Sequence, residues 1–224
     1  MAAVDKGCRR FLIGLGGSAT NDGGMGMIGA EGFLEKTRGL QFTIACDVDT
    51  PYIGKNGASR VFGPQKGASV QDVEVLEERL RGYALKISED TGIDVSDMPG
   101  AGAAGGLGGA FRAYLGAELK RGVDLVLDQI GFDSVIAGAD LVITGEGCSD
   151  YQTLKGKTAA GVLERAERLN IPVALVSGAV RDEKMLRDRG FRIVEAVTPP
   201  SMSLEEAMRP ETAKHLVAVA TRNI

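Results

Sequence analysis

The sequence predicts an α/β fold built on a largely parallel sheet with helices on both faces. Short apolar runs rich in β-branched residues alternate with helical patterns along the 224 residues, the order typical of parallel sheets. The later strand-like runs are almost continuously apolar, as expected when both faces of a sheet are covered. In sheets of this class, ligands bind at the carboxyl ends of the strands.

The predicted strands are short and apolar, and they cover residues 10–14, 42–46, 141–144, 172–176 and 192–197. Helical patterns cover 25 onward, 69–87, 110–119, 123–130, 158–169, 184–189 and the segment after 203. Ser69 with Asp72, and Ser203 with Glu206, have the spacing of capping boxes at two helix starts. Pro210 is expected to break or kink the last helix.

Composition excludes several classes of protein. Hydrophobic residues make up 44% and charged residues 25%, which is typical of a soluble globular chain and not of a disordered one. No apolar stretch is long enough to span a membrane. The net charge of -4 gives no overall attraction for nucleic acid or for an anionic membrane.

The cysteines and the single histidine narrow the chemistry further. Cys8, Cys46 and Cys148 are widely spaced and fit neither a disulfide framework nor a metal site, so a reducing cytoplasm is the simplest location. The only histidine, His215, lies in a helix-like stretch. This placement argues against Ser-His-Asp or Cys-His catalysis.

Glycine is the unusual feature, with 32 residues, about twice the usual share of roughly 7%. One concentration, over 14–29, follows a strand and leads into a helix, where backbone N–H groups favour an anion such as phosphate or carboxylate. Its candidate binding residues are Gly16, Gly17, Ser18, Thr20 and Asn21, beside Asp22. A tight strand-to-helix turn capped by Asn or Asp is the alternative, and both stay open.

A second concentration of glycine, over 100–109, formally matches the dinucleotide pattern G-x-G-x-x-G. No strand precedes it, and no acidic residue follows the first cluster at the spacing of a ribose contact, so a dinucleotide site is disfavoured. Either a small-residue helix packs closely on a neighbour here, or Gly105 and Gly106 line a ligand at a helix start. The sequence does not decide between the two.

Carboxylates and a lysine follow the second predicted strand. Asp47 and Asp49 alternate along an extended chain, so one of them should face the cleft, where it could orient a hydroxyl, act as a base or hold Mg²⁺. A turn cap is the alternative. Lys66, in a glycine-punctuated loop, could supply a point charge for phosphate.

A third polar group follows the strand at 141–144. Glu146 stands between two glycines, Asp150 and Gln152 come next, and Lys155 and Lys157 precede a helix. The lysines suit a polyanion at a helix start, although the spacing is not that of a Walker A motif. An exposed surface pair of lysines is the alternative.

Seven segments, taken in order, resemble the class I glycerate kinase family: 13–24, 45–49, 56–59, 62–68, 99–109, 143–147 and 202–207. The resemblance implies phosphorylation of glycerate by ATP with Mg²⁺, generally at the 2-hydroxyl, by in-line phosphoryl transfer. Small-molecule partners, glycerate and the nucleotide, are therefore expected. A homodimer is compatible with the sequence.

The family fold implies two α/β domains with the site in the crevice between them. Across 1–224, this places a central domain over roughly 25–140, inserted in a remaining Rossmann- or flavodoxin-like domain. The family begins with a segment carrying a first strand and further active-site motifs, which this chain is expected to lack. Cys148 stands where the family usually has Arg, which removes a bidentate clamp for phosphate or carboxylate.

Chemistry assigns the following roles within that resemblance. Asp47 orients the hydroxyl, with Asp22 as the second choice, and the glycine cluster with Ser18, Thr20 and Asn21 cradles phosphate or glycerate. Glu146 and Asp150 hold the metal or the substrate, and Lys66, Lys155 and Lys157 offset phosphate charge. The alternative is a non-catalytic remnant that binds a small anion or a partner. It is motivated by the N-terminal family segment that the chain is expected to lack and by Cys148 in place of Arg.

Overall fold

The computed structural model describes residues 1–222 and 224, and it divides into two compact units, Met1–Gly122 and Val123–Ile224. Each unit contains its own three-stranded sheet, and every strand pair is parallel. The predicted α/β class with parallel strands is confirmed. The prediction that roughly 25–140 forms an inserted domain is not decided by this division and stays a prediction.

The first unit is an α/β unit whose sheet has the strand order β1-β2-β3. Its strands are β1 (Arg10–Gly14), β2 (Gln41–Ala45) and β3 (Glu118–Lys120). Its helices are α1 (Ala2–Asp5), α2 (Met25–Ile28), α3 (Phe33–Thr37), α4 (Ala58–Phe62), α5 (Val70–Thr91) and α6 (Ala103–Leu115), with a 3-10 turn over Pro64–Lys66. The helix predicted from residue 25 onward is therefore two short helices.

Strand β3 was predicted as the end of a helix over 110–119, and this prediction is wrong. Gly116 adopts a left-handed conformation with φ of 61° and ends α6. The chain then runs beside β2, where Glu118 pairs with Thr43 and Lys120 with Ala45. A left-handed glycine stops a helix at little cost, and here it releases the chain into the sheet.

The long helix α5 has the predicted start and the predicted apolar face. The Ser69 hydroxyl accepts from the N–H of Asp72, and the Asp72 carboxylate accepts from the N–H of Ser69, which completes the capping box. Val73, Leu80 and Ile87 are buried on one side of the helix. Leu80 and Ile87 belong to a core cluster that also contains Tyr52, Ala84 and Val95.

The second unit is also an α/β unit, with the strand order β4-β5-β6. Its strands are β4 (Val142–Ser149), β5 (Val173–Val180) and β6 (Ile193–Ala196). Its helices are α7 (Gly122–Gln129, beginning at the last residue of the first unit), α8 (Phe132–Ile136), α9 (Thr158–Arg168), α10 (Glu183–Arg189), α11 (Leu204–Ala207) and α12 (Pro210–Thr221). Leu163, Leu175, Leu186 and Phe191 are fully buried in its core.

Strand β4 continues through the Gly-Glu-Gly segment, which was predicted to follow the strand. Gly145 pairs with Val176 and Glu146 with Ser177 of β5. A Cβ added at Gly145 would collide with the carbonyl oxygen of Val176, so glycine permits this close approach of the two backbones. The strand is longer than its apolar run because pairing extends it beyond the hydrophobic residues.

Near the end of the chain, the predicted helix start at Ser203 and the predicted break at Pro210 are both present. Ser203 accepts from the N–H of Glu206 at the start of α11, which is half of the predicted capping box. Pro210 occupies the first turn of α12, so it separates the two helices as expected. Within the described residues, no helix combines the length and the apolar character that crossing a bilayer requires.

Candidate functional site

The glycine-rich loop, defined here as residues 15–24, lies at the carboxyl edge of the first sheet. The N–H of Leu15 bonds to the carbonyl oxygen of Ala45, so the loop leaves the sheet directly after β1. Gly17 has a positive φ of 58°, and a Cβ added at Gly16 or Gly17 would meet no atom within 4 Å. The backbone at these two glycines is therefore exposed, and its contact with a ligand stays a prediction.

Lys66 contacts the glycine-rich loop, from a segment well removed in sequence. Its ammonium nitrogen donates to the Ser18 hydroxyl at 3.0 Å and to the carbonyl oxygen of Thr20. Burial lowers the pKa of Lys66, and the nearby Asp22 carboxylate opposes that shift. The structure thus joins two groups of predicted site residues into one cluster around a single cation.

Asn21 is held by a residue that the sequence analysis did not single out as a site residue. Its side-chain nitrogen donates to the Ser59 hydroxyl at 2.9 Å, and Ser59 is completely buried. The other polar atom of Asn21, Oδ1, is buried without a hydrogen-bond partner among residues 1–222 and 224. A buried acceptor without a partner is costly, and such atoms are often satisfied by a ligand or water.

Asp22 has a local structural role. Its two carboxylate oxygens accept from the N–H groups of Gly24 at 3.2 Å and Gly26 at 3.1 Å. These bonds fix the turn into α2, which is the capping alternative of the sequence analysis. This engagement makes Asp22 the weaker candidate for the carboxylate that orients a substrate hydroxyl.

The two glycine clusters pack against each other. The N–H of Gly23 donates to the carbonyl oxygen of Gly105 at 2.9 Å. A Cβ added at Gly105 would collide with the carbonyl oxygen of Thr20, and one at Gly106 would lie 2.7 Å from the Cα of Gly23. The structure supports the close-packing alternative for Gly105 and Gly106, both of which are buried, and their contact with a ligand stays a prediction.

Tyr52 packs against both glycine clusters. It is completely buried, and its hydroxyl donates to the carbonyl oxygen of Gly23 at 3.0 Å. Its ring also lies where a Cβ added at Gly106 or Gly109 would collide with it. Tyr52 thereby supports the glycine-rich loop.

Asp47 follows β2 at the same edge of the first sheet. It is exposed, and its Oδ1 accepts from the N–H of Gly122 at 2.6 Å. The following Val48 takes part in another contact, because its carbonyl oxygen accepts from the Cys46 thiol. Asp47 therefore has a fixed position while its carboxylate remains in reach of solvent, which suits a group that orients a hydroxyl.

In the second unit, two hydroxyl groups donate to one carboxylate oxygen of Glu146. Ser149 donates to its Oε1 at 2.9 Å, and Thr153 donates to the same oxygen. Ser177 lies behind Ser149, with 2.6 Å between the two hydroxyl oxygens. We call Glu146 with Ser149, Thr153 and Ser177 the Glu146 cluster.

The other predicted residues of this region lie on the turn after β4 and at the start of α9. Asp150 accepts from the N–H of Gln152 at 2.8 Å, which is an ordinary turn contact. The ammonium nitrogen of Lys155 lies 5.0 Å from the centre of the Tyr151 ring. Lys157 is exposed at the position preceding α9, and Gln152 and Lys155 are exposed too. No contact in this region decides between a polyanion site and a solvated surface.

An open groove of about 1250 Å³ runs along the second unit. Its walls include Glu146, Cys148 and Ser177 from the sheet, Met208 from the position directly after α11, and Val217 from α12. Most of its lining is apolar, and Val217 and Met208 are 46% and 69% exposed. Glu146 is thus accessible from the groove, although the hydroxyls behind it are buried.

Sequence reasoning missed the supporting residues of both clusters. Ser59 ends the family-like segment 56–59 but was given no role, and Tyr52, Ser149 and Ser177 lie outside those segments. A hydroxyl that supports another side chain needs no particular spacing. The one available signal was position: Ser149 is the last residue of β4, and Ser177 directly follows the segment 172–176 that was predicted as a strand.

Comparison with known proteins identifies the family. The model of the glycerate kinase family matches residues 1–37 and 28–224. The chain is 40% identical to the glycerate kinase of Bacillus subtilis (strain 168) over 235 residues, which is 92% of this chain and 62% of that protein. It is 37% identical to the glycerate 2-kinase of Escherichia coli (strain K12) over 253 residues, covering all of this chain and 66% of that one.

The two family matches overlap at residues 28–37, where the chain forms only the short helices α2 and α3. The alignment with the Escherichia coli protein is 253 residues long, against 224 in this chain. Because this alignment is longer than the chain, the chain is shorter than the Escherichia coli protein within the aligned region.

The fold agrees with a solved relative. A structure assigned as glycerate kinase 2 from Salmonella typhimurium LT2 superposes with a TM-score of 0.79 at 38% identity, covering 99% of this chain and 65% of that one. The chain spans slightly less than two thirds of the length of the relatives that it matches. From the family match and these identities, the chain belongs to the glycerate kinase family.

Proposed function

We propose that this chain phosphorylates glycerate with ATP, at the 2-hydroxyl, as the resemblance implies. Family membership supports the reaction, and the names of relatives from Bacillus subtilis and Escherichia coli include glycerate kinase and glycerate 2-kinase. Phosphoryl transfer relies on positioning and on neutralising charge, and it needs no histidine. The only histidine, His215, is exposed on α12 and is assigned no role in the reaction.

The contact of Lys66 with the glycine-rich loop is the observation that carries this proposal. A cation bonded to Ser18 and Thr20 places positive charge beside open backbone at Gly16 and Gly17. The described residues use two of the three N–H donors of the ammonium group, which leaves one for an anion. We assign this cluster to the carboxylate of glycerate or to a phosphate group.

Asp47 is the proposed carboxylate that orients the attacking hydroxyl. Its Oδ1 is fixed by Gly122, it lies at the carboxyl edge of the first sheet, and it is exposed. A carboxylate in this position accepts the proton of the substrate hydroxyl as the oxygen–phosphorus bond forms. Asp22 is not assigned this role, because both of its oxygens already accept from backbone N–H groups of Gly24 and Gly26 in the turn into α2.

The residues around Glu146 fit Mg²⁺, the cation that the family implies. Mg²⁺ is usually bound by one or two carboxylates together with waters and substrate phosphates. Within the described residues, no group of three or more His, Cys, Asp or Glu side chains is gathered into a dedicated metal cage. Glu146, together with Asp150 on the turn after β4, would hold the ion, which would neutralise phosphate charge when bound. Lys155 and Lys157 would add to that neutralisation.

Binding and turnover together test the proposal. Calorimetric titration of this chain with Mg-ATP and with glycerate should show saturable binding of each, and a coupled assay should show ADP formed only when both are present. ³¹P spectroscopy of the product should show the phosphate on the 2-hydroxyl oxygen. Failure to bind either ligand would contradict the proposal.

The Asp47→Asn variant separates catalysis from binding. Loss of a general base should lower kcat by roughly 10²- to 10⁴-fold while Mg-ATP binding is kept. Asp188→Asn, at an exposed position on α10, is the matched control and should keep full activity. Equal activity of the Asp47 variant and this control would remove Asp47 from the proposal.

A further inference from the structure

We propose that Thr153 and Ser149 are positioning residues that bind one oxygen of Glu146 and so leave its other oxygen for a ligand. This inference rests on the proposed function, and it assigns roles to two residues that had none from the sequence. The inference is based on the Glu146 cluster, in which the hydroxyls of Ser149 and Thr153 both donate to Oε1 of Glu146. No described residue donates a hydrogen bond to Oε2.

The directions of the hydrogen bonds follow from what each group can donate. Thr153 accepts from the N–H of Asp150 at 3.0 Å, so its own proton is free to point at Glu146. Ser149 donates its only proton to Glu146, so the bond between Ser149 and Ser177 has Ser177 as the donor. The protons of Thr153 and Ser149 therefore point at Glu146, and the proton of Ser177 points at Ser149, so Glu146 is the final acceptor.

The hydroxyls of the Glu146 cluster are buried, whereas the carboxylate that they bind is partly exposed. Ser149 and Thr153 are completely buried and Ser177 is 1% exposed, whereas Glu146 is only half-buried and lies on the wall of the groove. Buried hydroxyls add little net stability over apolar groups of the same shape. Their convergence on one partly exposed carboxylate is better explained by the geometry that they impose on it.

The sheet fixes the frame on which these hydroxyls sit. Glu146 pairs with Ser177 across β4 and β5, and Ser149 pairs with Val180. Thr153 is tied back to Asp150 on the following turn. With Oε1 saturated, the ligand of Oε2 must be a cation or a hydrogen-bond donor. We commit to Mg²⁺ carried by the nucleotide.

The test compares variants of Thr153 in binding experiments. Thr153→Val removes the hydroxyl and keeps the shape, and Thr153→Ser keeps the hydroxyl. Calorimetry measures the dissociation constant for the Mg²⁺ complex of a non-hydrolysable ATP analogue. Loss of a residue that orients a metal ligand typically weakens affinity about 10-fold or more. We expect that loss for valine and near-complete recovery for serine.

A double-mutant cycle with Glu146→Gln identifies the path of the effect. If Thr153 acts through Glu146, Thr153→Val should weaken binding much less in the Glu146→Gln background than in the wild type. Equal weakening in both backgrounds would overturn the inference, and so would a serine variant as weak as valine. Ser149→Ala should behave like Thr153→Val in the same cycle.

Stability controls keep the result interpretable. Thr37→Val removes another buried threonine hydroxyl, one that donates to the carbonyl oxygen of Phe33, and it should leave the dissociation constant unchanged. If wild-type protein does not bind the nucleotide complex, the proposed function fails. If wild-type protein binds and Thr153→Val binds equally well, this inference alone fails.

Discussion

The Lys66 ammonium nitrogen lies 3.0 Å from the Ser18 hydroxyl oxygen and also donates to the carbonyl oxygen of Thr20. One side chain thereby bonds to a side chain and to the backbone of the same loop. The contact fixes the loop and places a positive charge beside it. Lys66 is therefore expected to influence ligand affinity more than stability.

Replacing Lys66 with methionine should weaken anion binding. The substitution keeps the length of the side chain and removes the charge, and a charge-assisted hydrogen bond contributes about 1.5–3 kcal/mol. The dissociation constant for glycerate, measured by calorimetry, should therefore rise by about 10- to 150-fold. Lys6→Met, at an exposed position after α1, is the control and should bind glycerate like the wild type. Identical affinities for the two variants would show that Lys66 has no part in binding.

Binding should also depend on pH through Lys66. Burial lowers the pKa of Lys66 from its ordinary value of 10.5, so the charge is lost at a lower pH than on an exposed lysine. Glycerate affinity should fall on the alkaline side before ordinary lysines titrate, and the Lys66→Met variant should lack this limb. Between the folded and the unfolded pKa the unfolded chain binds more protons, so this group makes the free energy of unfolding rise with pH. A pH titration that is the same in both proteins would contradict the assignment.

The contact between the two glycine clusters should not tolerate a methyl group. Gly105→Ala requires a positive φ of 71° and brings Cβ into the carbonyl oxygen of Thr20. Gly116→Ala requires a similar φ of 61°, but a Cβ there meets no atom within 4 Å. Both variants lose about 1–2 kcal/mol to backbone strain, and only Gly105→Ala adds a steric cost of about 1–3 kcal/mol. Its melting temperature should be clearly the lower of the two, and equal values would contradict the packing.

Arg165 joins three helices of the second unit and should be needed for its stability. Its side chain is 11% exposed and lies within 4 Å of the carboxylates of Asp124, Asp128 and Asp133. Arg165→Met should lower the melting temperature by roughly 4–8 °C, corresponding to about 2 kcal/mol. Arg165→Lys should recover only part, because lysine lacks the two-pronged guanidinium. Arg168→Met, at an exposed position of α9, is the control and should melt like the wild type.

Helices and strands could be predicted from the sequence where a local residue pattern determines them. The capping box at Ser69 and Asp72, and the break at Pro210, depend on backbone chemistry within a few residues. Strand β3 was not predictable, because its three residues are extended only by pairing with β2. The continuation of β4 through Glu146 has the same origin in its partner strand.

The candidate site shows the same division. The glycine-rich loop and Lys66 were found because both are unusual in the sequence, and the structure brings them together. The supports of the site were not found, because Ser59 and Thr153 are ordinary residues whose meaning lies in their partners. The packing of Gly105 against Thr20 could be raised from sequence only as one of two alternatives.

The bond between Gly23 and Gly105 joins parts of the first unit that are far apart along the chain. Contacts of this kind form late in folding, because a long loop must close before they contribute any energy. The glycine-rich loop can reach its final shape only once α6 has docked against it. Ligand affinity of the first unit should therefore report on complete folding, and collapsed intermediates with native-like helices should remain unable to bind.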